Sequence, residues 1–318
     1  MELTEIYEKG GAALRAMDIG FLLDGVETEF VKVNNRRILD GFTLSQRCID
    51  GVEAATTCHV LGVDLSTPLI MSAMTMPIPA IADDGLMKVA EGLKAAGSLM
   101  WVGTPIPQNL KELAAIGVPL VANVKPFQDR KKMFEALDDI QAAGVQWIGV
   151  EIDAGQGTKI KDRQMAKDCF PLSLEELKAI RKAVSLPLIF KGVLSRVDAK
   201  KSIEAGADGI VVSNHGAHTL DYLPHPFQVM DEIMEEVTDN TVVVVDGGFR
   251  RGSDALKGLA FGASLVGLGR PILFGLAADE NNGVEELVGQ ITGELKRMMC
   301  MVGAADPGGV GRDILIES

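Results

Sequence analysis

From residue 68 onward the chain repeats one unit, an apolar β-rich run followed by an amphipathic stretch. Eight such runs can be read, at 68–74, 98–102, 119–124, 147–152, 187–191, 208–213, 241–246 and 264–269. Most are continuously apolar without alternation, as in parallel strands buried on both faces. Between them, 85–96, 131–143, 173–184, 196–205 and 253–261 are helix-prone, and Ser173 ahead of Glu175 and Glu176 supplies an N-cap with acidic first-turn residues. Gly97, Gly117, Gly144, Gly206 and Gly262 stand where helices would end before the next strand. The alternation predicts an α/β fold, a (β/α)8 TIM barrel. An open doubly wound sheet is the rival, because the period alone does not show closure.

Residues 1–67 read differently. The stretch 3–23 suggests a helix or helix pair, and 36–57 an irregular segment with short strands. Together they form an N-terminal helical capping segment, expected to close the barrel's N-terminal end, with 68–318 as the barrel, a C-terminal helix and a tail. Of the 318 residues 47% are hydrophobic and 24% charged, the balance of a globular protein, and the net charge of −13 argues against broad nucleic-acid binding. No apolar run reaches the roughly 18 residues of a membrane span, and the acidic start Met1-Glu2-Leu3-Thr4-Glu5 lacks signal-peptide order. Cys48, Cys58, Cys169 and Cys300 are scattered without metal-ligand spacing. Thiols in a reducing cytoplasm are therefore expected, with no metal.

Chemistry concentrates where strands hand over to loops. Lys191-Gly192 ends the fifth run and Ser213-Asn214-His215-Gly216 the sixth, so a fixed cation and a base that titrates near neutrality can converge on one ligand. The plain alternative is a surface lysine and a satisfied core histidine. Asp246-Gly247-Gly248-Phe249-Arg250-Arg251-Gly252 follows the seventh run and Gly269-Arg270-Pro271 the eighth. These are the usual phosphate loops of a barrel: glycines let backbone N–H groups approach phosphate oxygens, and arginine adds a forked charge. His218 lines the same pocket or lies exposed. Met71, Met74 and Met76 pack the first strand end or line the apolar face of an aromatic ligand. Gly155-Gln156-Gly157-Thr158-Lys159 lacks P-loop spacing, and 308–312 reads as a mobile tail.

Taken together, Lys191-Gly192-Val193, Ser213-Asn214-His215-Gly216-Ala217, the 246–252 loop and Gly269-Arg270-Pro271 resemble the FMN-dependent α-hydroxy-acid oxidases and dehydrogenases, the family of glycolate oxidase and lactate oxidase. The resemblance implies FMN across the barrel mouth, its phosphate held by Gly248, Arg250, Gly269 and Arg270, with Asp246 and Gly247 in the same loop. Ser72 and Ala73 would meet the flavin from the first strand, with Gly103, Asn123, Glu151 and Ser213 at later strand ends. Lys191 would stabilise negative charge on reduced flavin, and His215 would take the hydroxyl proton while hydride leaves for flavin N5. A small-molecule substrate, an electron acceptor and a homo-oligomer, tetramer or octamer, are also implied.

The substrate side departs from that pattern. Where the family places a carboxylate-binding arginine three residues after the histidine, this chain has His218. Phe21 stands for a substrate-contacting tyrosine, Lys125 for its partner at the third strand end, and Pro105 near a family tryptophan. The loop 154–171 is short and offers Lys159, Lys161 and Arg163 as replacement cations. Three readings follow: oxidation of a 2-hydroxy acid, an FMN-dependent reductase or isomerase acting on another substrate, and a silent FMN- or phosphate-binding regulator.

Overall fold

The structure, a computed structural model, describes residues 1–49, 51–160 and 162–317. Eight parallel strands form one sheet: β1 (Leu69–Met71), β2 (Met100–Val102), β3 (Leu120–Val124), β4 (Trp147–Glu151), β5 (Leu188–Val193), β6 (Gly209–Val212), β7 (Val242–Val245) and β8 (Leu265–Leu268). The ladder runs from β1 through β8 down to β2, so its two ends are consecutive strands. The Met71 N–H donates to Leu99 O (3.0 Å) and the Met74 N–H to Trp101 O (3.1 Å), joining those ends. This excludes the open sheet and makes the fold a TIM barrel.

Helices fall where the sequence predicts them, with Gly85–Ala95, Arg130–Gln141, Leu174–Ala183, Arg196–Glu204 and Gly252–Ala260 between strands. Ser173 and Glu176 form a capping box, satisfying two otherwise unpaired helix-start donors. All five helix-ending glycines have positive φ, between +65° and +93°. Two shorter helices, Leu110–Ala115 and Met230–Met234, are too brief to show a period in sequence.

The barrel interior explains how strands become a site. Ile70, Trp101, Val121, Trp147, Ile189, Val211, Val244 and Leu265 form one inner apolar cluster, a residue from each strand or its start. Each Val, Leu or Ile fully buried in such a layer contributes roughly 1.5–3 kcal/mol. Side chains alternate along a strand, so positions two and four residues further on also face inward, one step nearer the C-terminal mouth. Those positions are Ser72, Gly103, Asn123 and Lys125, Glu151, Lys191, Ser213, Asp246, and Gly267 and Gly269. The polar layer is thus the next floor of the apolar one. It needs room, which glycine supplies: a Cβ on Gly149 would sit 1.6 Å from Asn123 Oδ1.

The N-terminal segment corrects two expectations. Among the described residues of the segment, it is the hairpin Cys58–Val60/Val63–Leu65 that closes the N-terminal end of the barrel, where Val60, Val63 and Leu65 join the inner cluster and Trp147 Nε1 donates to Leu61 O (3.2 Å). Helix α1 (Leu3–Ala16) instead packs along the C-terminal helix, its Gly10 so close that a Cβ would lie 2.2 Å from Phe274 O. Helix α2 (Phe30–Asp40), whose second half the sequence predicts as irregular, borders the opposite, C-terminal face. There Asn35 and Asn214 exchange amide hydrogen bonds (3.2 and 2.6 Å), and Arg36 grips buried Asp254 through two bonds (3.0 and 2.8 Å). The C-terminal tail is not loose either, because Leu315–Glu317 pairs antiparallel with Phe42–Leu44. Among the described residues no helix is long and apolar enough to cross a membrane.

Candidate active site

The strand ends open onto a cavity of ≈ 470 Å³, within the roughly 300–1,000 Å³ usual for small-molecule sites. Ser72, Gly103, Lys125, Glu151, Lys191 and Asp246 of the inward polar layer line it. Ala73, His215, His218, Gly247, Gly248, Arg250, Gly269 and Arg270 also belong to its wall, with further polar side chains, among them Lys132, Thr158 and Lys159, and apolar ones. Asn123 lies one layer behind: it accepts from Trp101 Nε1 (2.7 Å) and donates to Glu151 Oε1 (3.1 Å), so it aims Glu151. Ser213 is also set back, donating to Asp246 and accepting the His215 N–H (3.0 Å). Phe21 is not brought in. It is 39% exposed on the 3-10 turn Gly20–Leu23, and its neighbour Leu22 reaches the cavity instead. Such a turn swings each successive side chain by about a third of a revolution, so a one-residue offset changes what a side chain touches.

Parallel register sets the charges. Lys191 stands directly opposite Glu151 across β4 and β5, and Lys125 Nζ lies 3.6 Å from Glu151 Oε2 on the other side. Burial opposes the charged form of Glu151, but the Lys191 charge, then His215 and Lys125, outweigh it and hold the carboxyl below its usual range. Burial likewise opposes the Lys191 ammonium, and the Asp153, Glu151 and Asp246 carboxylates outweigh that, raising it above its ordinary value. Lys191 is therefore a fixed cation.

His215 opens a one-turn 3-10 segment after β6 with φ +56°, a conformation of order 1–3 kcal/mol uphill for a side chain of this kind. The Ser213 hydroxyl and the Asn35–Asn214 amide pair, both on the approach to that turn, hold it there. Its Nδ1 lies 2.8 Å from Asp153 Oδ2 and 3.2 Å from Lys191 Nζ. One nitrogen cannot donate to the carboxylate and accept from the ammonium together; the shorter, charge-assisted contact makes Nδ1 the donor to Asp153 and leaves Nε2 as the basic nitrogen. Burial would raise the Asp153 carboxyl, but His215 and Lys191 overcome it and keep it ionised. Sequence reading missed Asp153. It sits in the 3-10 turn Ile152–Ala154 just past β4, and its only local signal is a second acidic residue two places after Glu151.

The opposite end of the cavity is cationic. Gly247 and Gly248 adopt φ of +118° and +90°, and Asp254 Oδ2 accepts the N–H groups of Arg250 (2.9 Å) and Arg251 (3.2 Å) further along the loop. Arg270 begins the helix Arg270–Val302, which breaks at Asp279 and Glu280, and donates to Gly216 O (2.6 Å) and Asp24 O (3.1 Å). Burial first, then the Arg250 charge, pull its guanidinium down to about 10. Two arginines that repel one another at a helix N-terminus form a surrounding that an anion would neutralise.

Three buried atoms that line this cavity have no hydrogen-bond partner: Ser72 Oγ, Glu151 Oε2 and Arg270 Nε. Their chemistry fits a phosphorylated flavin, with an arginine N–H for phosphate, a carboxylate for the ring imide N–H, and a hydroxyl for a ring carbonyl.

His218 cannot serve as a cation. Burial, then Arg270, push it down to about 3, and its Nε2 donates to Asp24 O (3.0 Å). Lys159 is paired with Glu27 (2.9 Å), Arg163 is exposed outside the cavity wall, and Lys161 lies outside the described residues.

A barrel with this constellation at its mouth defines a flavin-dependent oxidoreductase. The chain belongs to the FMN-dependent dehydrogenase family, whose sequence profile matches residues 12–171 and 155–317. Its cofactor is FMN. Glycolate oxidase 3 of Arabidopsis thaliana is 29% identical over 95% of this chain and 93% of its own length. L-lactate oxidase of Lactobacillus jensenii is 31% identical over 89% and 77%, and 4-hydroxymandelate oxidase of Amycolatopsis orientalis 29% over 92% and 91%. The crystal structure of mandelate oxidase superimposes with TM-score 0.90 at 27% identity, covering 99% of this chain and 97% of that one. This is a family of FMN-dependent 2-hydroxy-acid oxidases, and the expectation of a flavoenzyme on a TIM barrel stands.

Proposed function

We propose that this enzyme oxidises a 2-hydroxy acid to the 2-oxo acid, with His215 as the base and Lys191 as the electrostatic partner of the flavin. The observation that carries the reading is the His215–Asp153 hydrogen bond at 2.8 Å beside the Lys191 ammonium. His215 Nε2 takes the proton of the substrate hydroxyl, and Asp153 stabilises the imidazolium that results. Bound FMN supplies the acceptor for the two electrons that leave the 2-carbon with its hydrogen. Lys191 keeps a positive charge at the cavity floor, where negative charge accumulates on reduction. Gly248, Arg250, Gly269 and Arg270 hold the phosphate, Glu151 and Ser72 the ring, and Asn123 and Ser213 support Glu151, Asp246 and His215 from behind. Family likeness and scattered cysteines support a cytoplasmic homo-oligomer.

His215→Asn tests the role of the base. The variant is expected to keep bound FMN and to lose its reduction by substrate; full retention of that reduction would sink the assignment. One observation favours a second reading: His218 is neutral where the resemblance expects an arginine. An FMN-dependent reductase or isomerase would keep the same cofactor half and need no carboxylate grip at that position.

A further inference from the structure

We propose that Lys125 is the anchor for the substrate carboxylate, and that the apolar face beside it selects 2-hydroxy acids with a large apolar side chain. The inference rests on the hydroxy-acid reading above.

Among the described residues, the other basic side chains on the cavity wall have different employment. Arg250 and Arg270 belong to the phosphate end, Lys191 to His215, and His218 carries no charge at neutral pH. Lys132 pairs with Asp168 (3.4 Å) over the Phe127 ring, and Lys159 with Glu27 (2.9 Å); their side chains are 57% and 36% exposed. The Lys125 side chain is only 8% exposed. It donates to Thr158 Oγ1 at 3.1 Å and faces Glu151 Oε2 at 3.6 Å. An ammonium has three N–H donors, so one remains for a ligand in the cavity that Lys125 lines. That charge is already stripped of most water, so a charge-assisted bond to it loses little further hydration. It also lies within electrostatic reach of Asp153, and hence of the base.

Directly paired residues in a hairpin share a face, and so do residues two apart. In the hairpin Thr158–Ile160/Arg163–Met165, Thr158 pairs with Met165 and therefore shares a face with Ile160. All three line the cavity, and Phe127, two residues past Lys125, adds its ring. A carboxylate on Lys125 places the substrate side chain against a thioether, a branched alkyl group and an aromatic ring. A short side chain would leave those surfaces wet, whereas each buried methylene is worth roughly a fourfold gain in affinity.

The experiment uses the FMN-loaded enzyme and two non-oxidisable probes, acetate and hexanoate, with the dissociation constant read from the perturbation of the flavin absorption band. Hexanoate should bind roughly tenfold or more tighter than acetate. Lys125→Met should weaken hexanoate by about 10- to 100-fold, the loss of a charged hydrogen bond, and Lys125→Arg should recover most of that. Thr158→Val, which removes the hydroxyl that holds the ammonium, should weaken it by about threefold and serves as the test if Lys125→Met does not load FMN. An unchanged constant in the variants, or acetate binding as tightly as hexanoate, overturns the proposal. Anaerobic reduction by 2-hydroxyhexanoate separates the two levels. If hexanoate binding depends on Lys125 and no 2-hydroxy acid reduces the flavin, the anchor stands and the reaction falls. If Lys125→Met is reduced as readily as the parent at every concentration, the reaction stands and the anchor falls.

Discussion

Asp153 and His215 are 62 positions apart in the chain and joined by one 2.8 Å hydrogen bond at the barrel mouth. The bond fixes the tautomer of the imidazole and leaves a negative charge behind it as it gains a proton. Asn at 153 would keep the volume and lose the charge. Asp153→Asn should therefore slow flavin reduction by substrate about 10²- to 10⁴-fold, as for other disabled base pairs. FMN content should be unaffected; single-turnover mixing under nitrogen gives the rate, and a loss under tenfold would contradict the coupling.

Arg270 is half-buried, with its Nε enclosed and unpartnered at the start of a helix, beside Arg250. If phosphate completes that group, the enzyme should prefer FMN to riboflavin, and the preference should depend on this side chain. Arg270→Met should weaken FMN by about 10- to 100-fold while riboflavin binds nearly as before. Fluorescence titration of the apoprotein with both flavins measures the gap, and equal losses for the two would place Arg270 away from the phosphate.

His225 is fully buried, with Nε2–H donating to Gly247 O (3.0 Å) and Nδ1 accepting the Phe227 N–H (3.1 Å). Burial pushes it down to about 3 from an ordinary 6.5. A lowered folded-state value means that the unfolded chain binds the extra proton first. Stability from this group is thus complete above pH 6.5 and lost as pH falls from 6.5 toward 3. The expected slope is about 1.4 kcal/mol per pH unit. Urea unfolding at pH 7, 6 and 5 should show that decline, and His225→Gln should flatten it by about one proton's worth. The same slope in parent and variant would mean that His225 is protonated in the folded protein.

Asn35 and Asn214 are both buried and satisfy each other's amides, which ties helix α2 to the residue before His215. Asn35→Leu leaves part of the Asn214 amide buried without its partner. The expected cost is about 1–3 kcal/mol of stability, seen as a lower urea midpoint, with slower flavin reduction by substrate because the His215 turn loses its brace. A variant as stable and as fast as the parent would show that the pair is incidental.

The barrel and the cofactor half of the site were legible because they are local. Strands buried on both faces print continuous apolar runs, and a period of two turns the residues just beyond them into the mouth, which is why Lys191 and Asp246 are readable from position, whereas Ser72 and Glu151 enter through the family resemblance. What failed depends on contacts between distant segments. Asp153 gains its meaning from His215, which no spacing reveals. Helix α2 hid because Asn34 and Asn35 sit on its buried face with Val31 and Leu39, so its apolar stripe is broken. The tail at 315–317 is ordered by a strand that lies more than 270 residues earlier in the chain. Phe21 went astray by one residue, since a 3-10 turn and not the sequence count decides that Leu22 faces in.

The most direct test of the account is the visible spectrum of the FMN-loaded protein on anaerobic mixing with 2-hydroxy acids from glycolate to 2-hydroxyhexanoate and mandelate, each also deuterated at the 2-carbon. The prediction is bleaching of the oxidised-flavin band by at least one acid, slower for the deuterated form and absent in His215→Asn. A flavin that binds, stays yellow with every acid, and is bleached by a chemical reductant would contradict the hydroxy-acid reaction and leave the reductase or isomerase reading in its place.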